Sequence, residues 1–115
     1  MKAGRVLLVA YWAAMLIGTH LPPGPDIAGG VNDKVLHFAG YCGLAVLLVV
    51  CGGPLGSPWW RAVLVASLYG LADELTQPWF DRDADVLDWL ADVAGSVVGA
   101  VAATAIRRPP SERTP

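Results

Sequence analysis

At 115 residues the chain has room for one domain and none for a separate catalytic module. A hydrophobic content of 55 % and a mean hydropathy of +0.50 are high for a soluble protein of this size, and the apolar residues fall in long blocks, which points to a membrane protein. The net charge of −2 comes without any basic tract, which excludes a nucleic-acid binder.

Lys2 and Arg5 precede a first apolar run, 6–21, interrupted only by Gly18, Thr19 and His20. No small-x-small cleavage site follows it, and further hydrophobic segments come after, so it reads as a retained first span. The stretch 22–32 contains Pro22, Pro23, Pro25 and three glycines and reads as a turn-rich loop. Asn32 or Asp33 then suits the N-cap of a second span, 35–51, apolar except for His37. Cys42 and Cys51 lie about 13 Å apart along such a helix, so they are expected to be unpaired thiols.

Gly52, Gly53, Pro54, Gly56 and Pro58 stop that helix, and Trp59 and Trp60 match an aromatic belt at a headgroup boundary. The third span, 62–80, is apolar until Asp73 and is broken near Pro78, which removes the donor that would have bonded the Glu74 carbonyl. A charged loop, 81–85, leads to a fourth span, 86–106, with Gly95 and Gly99 as a GxxxG pair. Residues 107–115 form a polar, proline-rich tail expected to be disordered.

These elements predict an all-α integral membrane bundle over 1–106, with four transmembrane helices running up-down-up-down. With both termini on one side, Lys2, Arg5, Arg61, Arg107, Arg108 and Arg113 share a face that the positive-inside rule makes cytoplasmic. Only Lys34 and Arg82 fall opposite, together with nine of the ten acids. The expected location is the bacterial cytoplasmic membrane, multi-pass, with the lipid bilayer as constant partner.

Seven carboxylates and one arginine crowd into the twenty residues from Asp73 to Asp92. An ionised group at a membrane helix centre costs roughly 2.5 to 3.5 kcal/mol on insertion scales, so such groups normally face a cavity and have a function. Counting about 1.5 Å per residue inward from each outer helix end puts Tyr41, Asp73, Glu74 and Asp92 at one depth, about 9 to 10 Å down. His37, Gln77 and Asp88 form a shallower tier at about 3 to 5 Å. Asp33, Lys34, Arg82 and Asp85 lie at the mouth. Steps of three or four residues place Asp33, His37 and Tyr41 on one face, Asp73 and Gln77 on another, and Asp85, Asp88 and Asp92 on a third. The expectation is a funnel of polar stripes opening outward, with a buried network that merely fixes helix register as the structural alternative.

The pattern Asp33-Lys34-x-x-His37-Phe38-x-x-Tyr41, then Asp73-Glu74-x-x-Gln77, then Arg82-x-x-Asp85-x-x-Asp88-x-x-x-Asp92-x-x-Gly95-x-x-x-Gly99 resembles the VanZ-like family of small bacterial membrane proteins. The match runs over roughly residues 32 to 100. Residue 92 departs from it, being Asp where the family usually has Asn. The resemblance implies a membrane fold in the cell envelope and a founding member associated with resistance to the glycopeptide teicoplanin.

Three functions are expected from these residues. In the first, the funnel binds or modifies the head of an envelope lipid or cell-wall intermediate. Asp73, Glu74 and His37 are its candidate catalytic groups, and Asp33, Lys34, Tyr41, Gln77, Arg82, Asp85, Asp88 and Asp92 its binding groups. In the second, a divalent cation or protons offset nine acids facing two bases, in a cation-binding or proton-binding transport component. In the third, the protein is a non-enzymatic module that packs through Gly95 and Gly99 against an envelope protein or a second copy of itself.

Overall fold

The structure, a computed structural model, describes residues 2–21, 33–80 and 85–107. They form four α-helices, α1 (Lys2–His20), α2 (Asp33–Cys51), α3 (Trp59–Thr76) and α4 (Val86–Arg107), with short 3₁₀ turns at Gly53–Leu55 and Gln77–Phe80. No strand occurs among the described residues. The expected loop at 22–32, most of the charged loop at 81–84 and the tail beyond Arg107 lie outside them.

Each helix follows its apolar run. The chain stops α2 at the glycine- and proline-rich connection, and α3 gives way at Gln77 to the turn that contains Pro78. Three helices, α1, α2 and α4, are long and apolar enough to cross a membrane. By length and composition the fourth, α3, is not, so three of the four expected spans are shown. The 18 residues of α3 include Arg61, Asp73 and Glu74, and both acids are buried inside the bundle.

Contacts fix the helix directions. Gly95 and Gly99 of α4 lie on Phe38 and Cys42 of α2, and Arg107 reaches the Val49 carbonyl, so α2 and α4 run parallel. Thr19 meets Asp73 and His20 meets Thr76, so α1 and α3 are parallel too. Tyr11 donates to the Gly40 carbonyl at 2.7 Å while Gly4 approaches Cys51, which makes α1 antiparallel to α2. The up-down-up-down order is present.

Lipid tails are as apolar as the side chains, so helices in a membrane associate through close packing and polar contacts. This chain uses both. Leu44, Leu48 and Val49 of α2 are buried against a lining of small residues, Ala62, Ala66 and Gly70 of α3 and Gly95, Ser96, Gly99, Ala100 and Ala103 of α4. A Cβ on Gly95 or Gly99 would strike the backbone carbonyl of Phe38 or Cys42. The GxxxG pair therefore closes the chain's own α2–α4 interface and is not available to an outside partner, contrary to the partner-module expectation. The outer surface is apolar, with Val6, Ile17, Leu64, Leu68, Val98 and Val101 exposed. Helix α1 sits at the edge, with Leu8 its one buried residue. Both cysteines are free, as expected.

Candidate functional site

Because α1 and α3 end where α2 and α4 begin, the C-termini of one pair meet the N-termini of the other at one end of the bundle. The positive ends of the α2 and α4 dipoles point there, which favours the acids Asp33 and Asp88 in their first turns. Side chains from all four helices converge on this end. A stack of rings runs through this end and ties it to α1. In it His37 stacks over Tyr41 with centroids 6.5 Å apart, Tyr41 over Tyr69 at 5.9 Å, and Trp12 meets Tyr69 edge-on at 5.3 Å.

His37 is the centre. Its Nδ1 lies 2.7 Å from Asp92 Oδ1 and 3.9 Å from Glu74 Oε1, and its Nε2 lies 3.6 Å from Asp33 Oδ2 and 3.7 Å from Asp88 Oδ2. With Asp92 ionised the carboxylate only accepts, and the proton of the short bond is then on Nδ1, donated by His37 to Asp92. One imidazole thus faces four carboxylates from three helices, and it is itself buried. The Asp85 amide donates to Glu74 Oε2 at 3.0 Å and holds that carboxylate in place. Five buried side-chain atoms have no hydrogen-bond partner among the described residues: Glu74 Oε1, Gln77 Oε1 and Asp92 Oδ2 at this end, the Tyr69 hydroxyl in the ring stack beside them, and Ser67 Oγ further along α3.

Asp73 belongs to a second group. The Thr19 hydroxyl donates to its Oδ1 at 2.6 Å, His20 Nδ1 lies 3.3 Å from the same oxygen, and the Tyr41 hydroxyl reaches Oδ2 at 3.4 Å. Gln77 donates to the Thr19 carbonyl at 3.1 Å, and His20 Nε2 lies 2.6 Å from Thr76 Oγ1. These bonds latch the edge helix α1 onto α3.

At the mouth the Lys34 ammonium donates to Asp85 Oδ2 at 3.1 Å and Asp88 Oδ1 at 3.2 Å. Asp85 also caps α4, accepting from the Leu87 amide at 2.8 Å. These two donors, the Leu87 amide first and then Lys34, hold the Asp85 carboxyl below its ordinary value of 3.8.

The structure thus brings ten of the eleven expected site residues to one end and divides them. Asp33, His37, Glu74, Asp88 and Asp92 surround the imidazole; Asp73, Tyr41 and Gln77 join α1; Lys34 and Asp85 pair at the mouth. Arg82 lies outside the described residues. Asp73 and His37, expected to act together, are assigned to different groups, because neighbouring residues on a helix point about 100° apart and only Glu74 turns toward His37. Thr19 and His20 were not foreseen. Their signal was present as the polar interruption at the end of the first apolar run. Gly70 was also missed, although Ala62, Ala66 and Gly70 form a small-residue face at steps of four. A Cβ on Gly70 would lie 3.0 Å from Asp92 Oδ2 and 3.2 Å from the Tyr41 ring, so its absence lets α3 close on the site.

Two sets of side chains have ligand atoms close enough to share an ion, Asp33 with His37 and Asp88, and His37 with Glu74 and Asp92. A family model described as VanZ/LLP1 matches residues 6–107, most of the chain. The chain belongs to the VanZ/LLP1 family. The match begins within the first turns of α1 and takes in the other three helices, so all the side chains that meet at the polar end fall within the VanZ/LLP1 domain. No curated protein and no solved structure matches this VanZ/LLP1 chain.

Proposed function

We propose that this VanZ/LLP1 protein crosses the bacterial cytoplasmic membrane several times, with both termini cytoplasmic, and uses its acidic end to bind the polar head of an envelope lipid or lipid-linked cell-wall intermediate. Charge placement supports the orientation. Lys2, Arg5, Arg61 and Arg107 lie at the end away from the acids, the cytoplasmic end by the positive-inside rule.

The observation that carries the binding reading is the set of unpartnered oxygens. Glu74, Gln77 and Asp92 are 4 %, 1 % and 0 % exposed, yet each keeps an acceptor unused among the described residues. A buried polar atom left without a partner costs about 1 to 3 kcal/mol, and folded proteins carry few of them. These three are acceptors and the neighbouring unpartnered Tyr69 hydroxyl both donates and accepts, so the complementary ligand brings mainly donors, the hydroxyls of a sugar or the ammonium of an amino head. Lys34 at the mouth supplies a cation for a phosphate further out. The His37–Asp92 pair has the geometry to take a proton from a bound hydroxyl, which would make the site one of modification as well as binding. Handling a cell-wall intermediate in this way is what would connect the protein to glycopeptide resistance.

Native mass spectrometry of gently extracted protein tests this reading. The wild type is expected to carry a lipid or lipid-linked saccharide adduct. Glu74→Gln should hold about tenfold to a hundredfold less, as expected for losing an acceptor charged toward its donor. An adduct equally abundant in Glu74→Gln and Asp73→Asn, or none on the wild type, would contradict the proposal.

A further inference from the structure

We infer that His37 Nδ1, Glu74 Oε1 and the Asp92 carboxylate form a binding site for one divalent metal ion of the zinc and manganese class. This does not depend on the lipid reading and changes it: an ion here would take up Glu74 and Asp92, leaving Gln77 Oε1 as the unpartnered acceptor for a head group, whose own oxygens could fill the ion's open positions.

The donor atoms of these three buried residues all lie within 4.8 Å of one another. Bonds of roughly 2.0 to 2.2 Å to one ion place neighbouring donors about 3 to 3.5 Å apart. The observed separations from Nδ1, 2.7 Å to Asp92 and 3.9 Å to Glu74, bracket that spacing, so small side-chain rotations suffice. Two of the participants, Glu74 and Asp92, each carry a buried oxygen unpartnered among the described residues. Glu74 is also pre-oriented, since the Asp85 amide holds Oε2 and leaves Oε1 facing the imidazole.

The rest of His37 fits a ligand. When Nδ1 binds a metal, the ring proton moves to Nε2, which lies 3.6 Å from Asp33 and 3.7 Å from Asp88. A carboxylate behind the far nitrogen is the usual outer support of a metal-bound histidine. The alternative set, Asp33 with His37 and Asp88, is the weaker site. Its Asp33 side chain is 53 % exposed, and the Lys34 ammonium already occupies Asp88 Oδ1. Charge favours the inner set as well, because two carboxylates and a neutral imidazole are balanced by one dication. One nitrogen with carboxylate oxygens suits a borderline ion better than calcium or magnesium, which favour oxygen alone.

The test uses full-length, tag-free protein in detergent, stripped with a chelator, given Zn2+ or Mn2+ alone, desalted and analysed for metal. The wild type should retain about one equivalent. Glu74→Gln and Asp92→Asn should each bind at least about a hundredfold more weakly, and Asp88→Asn roughly tenfold to a hundredfold more weakly. A Cys42→Ser, Cys51→Ser double variant should bind as the wild type does. No retained metal on the wild type, or retention unchanged in both ligand variants, would overturn the inference. Should the ligand variants fail to fold, Co2+ added to the wild type decides the matter. Visible bands of nitrogen and oxygen ligation without a thiolate charge-transfer band support the site, whereas no bands or a thiolate band refute it.

Discussion

Gly99→Leu and Gly95→Leu are expected to prevent α2 from seating on α4 and to abolish accumulation of folded protein. The reason is backbone, not side chain. The first atom of any side chain at these positions meets the carbonyl of Cys42 or Phe38, and a helix carbonyl cannot rotate away. Even Gly99→Ala, which gains about 1 kcal/mol in helix propensity, meets an overpacking cost of about 1 to 3 kcal/mol or more, and the second effect wins because α2–α4 is the most extensive interface of the fold. Gly18→Ala is the matched control. Nothing lies within 4 Å of a Cβ there, so only the propensity gain remains and stability should rise slightly. Denaturant titration in detergent micelles gives the order directly, and a Gly99→Ala as stable as Gly18→Ala would contradict the packing described for α2 and α4.

The second large effect is at His37. Replacing one member of a buried pair strands the other, at a cost of about 3 to 5 kcal/mol. His37→Leu removes the hydrogen bond to Asp92 and leaves four carboxylates without the group they surround. Asp92→Leu should cost less, because His37 retains Asp33, Asp88 and Glu74 nearby. The His37→Leu, Asp92→Leu double variant should then be more stable than His37→Leu alone, since it also removes the most deeply buried stranded charge. A double variant whose loss equals the sum of the single losses would show that the two side chains do not act as a pair.

How much of this was legible from the residues follows from what a periodicity can specify. Helix rise gave the depth of His37, Tyr41, Glu74, Asp88 and Asp92, steps of three or four gave His37 and Tyr41 one face and Asp88 and Asp92 another, and the structure brings all five to one end. A GxxxG spacing specifies a close approach but not the helix approached, so the partner of Gly95 and Gly99 could not be read and proved to be α2. The same limit applies to Asp73 and Glu74. Equal depth made them one tier, while rotation about the helix axis sends Asp73 to Thr19 and Glu74 to His37. Thr19 and His20 were hidden by a different cause, for polar residues at a span's end ordinarily meet headgroups, and only the parallel course of α1 and α3 makes them part of the site. Two of the three charges that lower the apolarity of α3, Asp73 and Glu74, belong to the polar end, and the third is Arg61 at the other end of the helix.

The central claim is that the buried polar end exists to hold a ligand and not to fix helix register, and the thermal unfolding of ligand-stripped Glu74→Gln tests it most directly. An amide at position 74 preserves the volume and the acceptor for the Asp85 amide while removing one negative charge from a crowded group. If the carboxylate is kept for a ligand, the stripped variant should unfold at or above the wild-type temperature, because functional sites are maintained at some expense of stability. If instead Glu74 is a structural counter-charge to His37, the variant should lose about 3 to 5 kcal/mol and unfold well below the wild type, and that result would contradict the account.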